Sequence, residues 1–158
     1  MWTLEFLHVL FGILWIGILY FFNLIQVQSM PKMTEAGAAK PYTQIILPKA
    51  LFFFRYAALL TVITGIAYYI AGYTNPGKVM GVPSHVINLG MLLGLIMAFN
   101  VWFIIWPNQK KIIAGTLEGE ALNKAKRTAF LASRTNAWLS LPMLACMIAA
   151  NHGGTFAF

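Results

Sequence analysis

The chain has 158 residues, room for one domain, and is 59% hydrophobic and only 9% charged, with a mean hydropathy of +0.72. A water-soluble fold cannot hide that much apolar surface, so the composition makes the bilayer the solvent. The formal charge of +7 does not point to nucleic acid, because the basic residues lie in connections between oily, aromatic-rich segments.

Four spans are expected, each near the ~20 residues that cross ~30 Å of hydrocarbon. The first runs from about Trp2 to Phe22; it is too long for a signal-peptide core, lacks a small-residue cleavage site, and reads as a retained span. A Pro- and Ala-rich connection, "QVQSMPKMTEAGAAKPYTQIILPK", follows and is expected to lie along the interface. The second span covers about Ala50 to Tyr73 and ends in a short turn, "TNPGKVMGVP". The third covers Ser84 to Trp106, with Pro83-Ser84 as its start signal and Pro107 expected to end it. The fourth begins with an amphipathic turn near Lys124 and continues to about Asn151, with Pro142 as an expected kink. The expected fold is therefore all-α, a single four-span integral membrane helix bundle over residues 1–158.

Charge sets the orientation. Lys32, Lys40 and Lys49 lie on the first connection, and Lys110, Lys111, Lys124, Lys126, Arg127 and Arg134 on or beside the third. The second connection carries only Lys78. Positive-inside then places connections one and three in the cytoplasm and both termini in the periplasm of a bacterial inner-membrane protein. Trp102 and Trp106 mark the inner interface.

Three histidines fall on the outer side: His8 in the second turn of span one, His85 in the first turn of span three, and His152 at the end of span four. Histidine in a span is uncommon and faces the bundle interior as a rule. The inner end collects Asn23, Arg55, Asn100, Arg134 and Asn136. His8 and Asn23 are fifteen residues apart, as are His85 and Asn100, so each pair differs by only ~60° around its helix. Such spans give a bundle with two polar poles ~22 Å apart and an oily middle.

Two imidazoles from different helices can hold a b-type haem iron, and bundle interiors are where helical proteins build cofactor sites. His8 is the first axial candidate, His152 the second and His85 the substitute. Gly12, Gly90 and Gly94 make room for a flat macrocycle, although "GMLLG" reads equally as a close-packing motif. Three convergent histidines would instead suit copper or zinc. The ordinary alternative makes His8 a helix–helix contact and leaves His85 and His152 wetted at the interface. The lone Cys146 excludes an internal disulfide, a CxxC pair and a CxxCH haem attachment.

At the inner pole Arg55 has no acidic residue near its depth, since the only acid within a span is Glu5. A guanidinium fork there suits a planar anion, with Asn100, Arg134 and Asn136 as companions. Snorkelling by Arg55 and a helix–helix hydrogen bond by Asn100 are the ordinary readings.

"LHVLFGILWIGILYFFNLIQV", "FFFRYAALLTVITG", "NVWFIIWPNQKK" and "SRTNAWLSLPMLACMIAANH" together resemble the membrane domain of the bacterial membrane-bound, cytochrome c-linked urate oxidases. The resemblance implies a membrane redox module related to urate oxidation, working with a c-type cytochrome or inside a larger respiratory complex. It departs from the family in two ways. Extra spans between the second and third are missing, and no haem c domain is present. The resulting expectation is an electron-transfer protein that binds haem b near the periplasmic face, with copper as the alternative cofactor and homo-oligomers or larger assemblies as settings. A urate-oxidising module with purine at Arg55, Asn100, Arg134 and Asn136, and a cofactor-free accessory subunit, are the rival readings.

Overall fold

The computed structural model describes residues 1–73 and 84–151. Within them the chain is all-helical and forms four long helices, three of them long and apolar enough to cross a membrane: Trp2–Glu35, Ala39–Gly72 and His85–Ile113. The fourth, Gly119–Asn151, carries Lys124, Lys126, Arg127 and Arg134 on its first half, which lowers its hydropathy. His152, Lys78 and Pro83 lie outside the described residues.

The helices exceed the expected spans because the connections are themselves helical. The first helix continues past Tyr20 through a π-helical stretch, Phe21–Gln26, into Val27–Glu35. Two Ala-Gly pairs stop the helices that hydropathy alone would not. Gly37 takes φ 70° and Gly115 φ 65°, the left-handed conformation that closes a helix C-terminus. At the first, Gly37 N donates to Thr34 O and Ala38 N to Met33 O; at the second, Gly115 N donates to Ile112 O and Thr116 N to Lys111 O.

Pro107 does not end the third helix, contrary to the sequence expectation. A π-helical stretch, Asn100–Ile105, precedes it, and the helix then runs on as Trp106–Ile113. The prolyl nitrogen has no proton to give, and the wider turn absorbs the missing bond. Asn108 Nδ2 also donates back to Ile104 O at 2.7 Å.

The topology is up-down-up-down. The first and second helices pack along their length, as do the third and fourth, while contacts between these two hairpins are sparser. The core occupies the half of the bundle containing Asn23 and Asn100, where Leu19, Phe22, Phe54, Met97 and Val101 interlock. Phe22 meets Phe54 edge to face at 5.4 Å, a favoured aromatic geometry. We call this the asparagine end and the opposite one the histidine end.

Candidate functional site

At the histidine end the hairpins part around a cavity of about 580 Å³, within the range of ligand pockets. The first helix lines it from Glu5 to Tyr20, a rise of ~22 Å. Thr61 and Gly65 face it from the second helix, Met91 and Gly94 from the third, and Met143 and Met147 from the fourth. Most of the lining is aliphatic. Glu5 is its one charged side chain, set against Tyr68.

His8 is built into one wall. Its Nδ1 donates to Thr61 O at 2.9 Å, an assignment that follows because a carbonyl only accepts. The Thr61 carbonyl sits in a turn crowded by threonine hydroxyls: Thr61 Oγ1 donates to Ala57 O, and Thr64 Oγ1 to Leu60 O and, at 3.2 Å, to Thr61 O itself, so His8 uses the second lone pair of a carbonyl already in use. The ring lies flush on Gly65. A Cβ there would fall 2.7 Å from His8 Cε1 and 2.9 Å from Nδ1, so only glycine leaves the imidazole its seat. In the neutral ring this leaves the lone pair on Nε2, for which no hydrogen-bond partner is found among the described residues.

The expected glycine floor divides. Gly12 and Gly94 line the cavity, but Gly90 packs against the fourth helix, where a Cβ would come within 3.0 Å of Cys146 Cβ. His85 is exposed and is not part of the lining. Among the described residues no three His, Cys, Asp or Glu side chains gather as a metal cluster.

Trp15 is the lining residue that sequence reading overlooked as a donor. It is 2% exposed, and its indole N–H is buried without an acceptor. A buried unpaired donor is costly and needs a reason. No local sequence signal marks it, because the fault is the absence of a partner on other helices.

The asparagine end arranges its polar groups differently from a single anion pocket. Asn136, fully buried, accepts from Asn100 Nδ2 at 2.8 Å and donates to Met97 O at 2.9 Å. Asn23 Nδ2 bonds Leu19 O and Ser133 Oγ, each at 2.9 Å. Ser140 donates to Ala137 O at 2.7 Å and so accepts from Tyr20 OH at 2.9 Å. Arg134 is exposed, with its guanidinium over Phe130 at 5.5 Å. Arg55 stacks on Trp106, its Cζ 3.7 Å from the ring centroid. Asn100 and Asn136 are thus brought together, while the two arginines stand apart from them on aromatic neighbours.

Fold and cavity define a four-helix bundle with an apolar cavity between its helices and one oriented imidazole in the cavity wall, at the place where such bundles build sites. Residues 79–158, just over half of the chain, match the urate oxidase N-terminal family, and the chain belongs to it. No curated protein and no solved structure matches. The matched stretch contains His85, Asn100, Arg134, Asn136 and His152; His8 and Arg55 lie before it.

Proposed function

We propose that the protein is an integral membrane redox protein that binds b-type haem in the cavity through His8 Nε2 and passes electrons to or from a c-type cytochrome or a larger respiratory complex. The single observation that carries this is the His8 seat. A metal-ligating histidine characteristically donates its other nitrogen to a carbonyl, which fixes the tautomer and the ring. Thr61 O and Gly65 do both here. The lining fits a flat macrocycle: glycines on three helices, aliphatic walls, and thioethers of Met91, Met143 and Met147. A bound haem would supply one-electron chemistry; the chain supplies the imidazole, the exclusion of water and the low dielectric.

The bilayer setting draws support from the outer surface. Trp2, Ile13, Phe103, Trp138 and Ile148 are each more than 60% exposed, and large apolar side chains exposed on that scale mark a membrane or protein contact surface. The lysine-rich connections then lie in the cytoplasm and the histidine end at the periplasmic face.

Purified protein should show reduced b-type absorption bands, and His8→Ala should lose them. A colourless wild type without haem ends this reading. The second ligand separates by variants: His152→Ala against Met143→Leu and Met147→Leu.

Family membership favours a urate-oxidising module as the second reading. It expects urate consumption by membranes containing the protein when an electron acceptor is supplied, lost in Arg55→Ala. No turnover under those conditions removes it.

A further inference from the structure

A second apolar groove, of about 400 Å³, runs between the second and third helices. Leu59 and Val62 line it from one side, and Leu95, Phe99, Trp102 and Phe103 from the other. Arg55 stands at its end. It precedes Leu59 by one turn and Val62 by two, so all three share one helix face. On the third helix the groove runs from Leu95 to Phe103, and Trp106 follows one turn on. Trp102 Nε1 donates to Arg55 O at 3.1 Å and pins the two helices there.

The state of the guanidinium is the telling feature. Its face lies over Trp106 at 3.7 Å, with Tyr56 at 5.0 Å and Phe52 at 5.7 Å. Stacking occupies the plane of an arginine and leaves its N–H edges for acceptors. Nε is buried with no hydrogen-bond partner, and among the described residues no carboxylate pairs with Arg55. A cation fixed by aromatic rings with an unanswered edge calls for an anion from outside the chain.

We propose that this groove is a phospholipid site, with one acyl chain along Leu59, Val62, Leu95 and Phe99 and the lipid phosphate on Arg55. A free anion would explain the guanidinium but not the oily groove leading away from it. A hydrocarbon chain would explain the groove but not the cation at its mouth. One molecule with a phosphate joined to an acyl chain answers both. The polarity also agrees: Arg55 lies toward Lys49 and Lys110, the basic end, and the groove runs from there toward the middle of the bundle.

The inference rests on the bilayer reading, and the experiment separates the two. Carbonate-washed membranes are probed for the chain first; its release into the supernatant sinks the bilayer reading itself. Detergent-purified protein is then loaded with palmitoyl-oleoyl phosphatidylglycerol and examined by native mass spectrometry. Wild type should retain one lipid per chain. Arg55→Gln should retain it about tenfold less, the worth of one charge-assisted contact. Ala98→Trp, which fills the groove and leaves the arginine, should lose it as well and guards against misfolding of the first variant. Diacylglycerol, lacking phosphate, should bind about tenfold more weakly than the phospholipid. Equal retention by Arg55→Gln and wild type overturns the proposal. So does equal retention of diacylglycerol, which leaves only an apolar groove, and so does binding of inorganic phosphate as tight as that of the lipid.

Discussion

Gly65→Ala puts the His8 seat under direct test, because two effects of opposite sign meet in one methyl group. Helix propensity alone favours alanine over glycine within a helix by ~1 kcal/mol. Sterics oppose it. The new carbon would lie 2.7 Å from His8 Cε1 and 2.9 Å from Nδ1, so the ring must retreat by roughly 0.7 Å or more to reach ordinary contact. That motion pulls Nδ1 from Thr61 O, now 2.9 Å away, toward the limit of a hydrogen bond. Loss of the bond costs ~1 kcal/mol, and crowding adds ~1–3 kcal/mol. The balance is a net destabilisation of ~1–3 kcal/mol in place of a gain. Thermal unfolding in detergent reads the sign, and haem content per chain reads the ring. Both should fall. A variant with a raised Tm and an unchanged spectrum would show that the imidazole does not depend on this contact, and the argument for a dedicated ligand would be lost.

Three further outcomes follow from the same geometry. Trp15→Phe removes a buried donor that has no acceptor among the described residues; protein prepared without haem should gain ~1 kcal/mol of stability, while haem affinity stays level or falls, as titration against unfolding will show. Asn136→Ala breaks the bonds to Asn100 and Met97 O in a fully buried position; denaturant unfolding should report a loss of ~2–4 kcal/mol, with the haem spectrum retained in the folded fraction. His85→Ala should leave both the spectrum and the Tm unchanged, since that side chain is exposed and away from the cavity.

The helices were legible because long apolar runs separated by polar, basic connections leave few ways to fold; three are apolar enough to cross a membrane, and the fourth carries its charges on its first half. His8 stood out because an imidazole in such a run is rare, and the structure places it in the cavity wall. Its partners did not stand out. A backbone carbonyl at Thr61 and a bare Cα at Gly65 carry no signal in a sequence read one residue at a time; both become visible only when two helices are brought into register. Phase arithmetic also had a limit. His8 and Asn23 were placed on nearly one face, yet His8 turns to the second helix and Asn23 to Ser133 of the fourth. A helix in a bundle meets two neighbours on adjoining faces. An offset of up to ~60° is enough to change neighbour. A π-helical turn at Asn100–Ile105 carried the third helix through Pro107. Arg55 stood out in the sequence as a cation with no acid near its depth, but its stacking on Trp106 joins residues about fifty positions apart and carries no local signal.

The placement of the ties explains how one small bundle keeps a cavity without collapsing. At the asparagine end the hairpins are joined by Tyr20 to Ser140, Asn23 to Ser133 and Trp102 to the Arg55 carbonyl. Around the cavity Val9, Ile13, Ile66, Leu95 and Ile148 are exposed as well as lining, so the opening faces sideways through an aliphatic rim. Tyr69 OH donates to Asn88 Oδ1 at 3.0 Å and joins the hairpins at the histidine end as well, so an apolar ligand would enter through the aliphatic rim between the two sets of ties. Loosening the ties at the asparagine end should then speed exchange more than it alters the bound state. Tyr20→Phe combined with Asn23→Ala removes two ties of ~1 kcal/mol each far from His8. Haem transfer from the variant to an excess of acceptor protein should accelerate about tenfold, while the absorption spectrum stays that of the wild type. An unchanged transfer rate would mean that the hairpins do not part to admit the ligand, and that it enters from the histidine end instead.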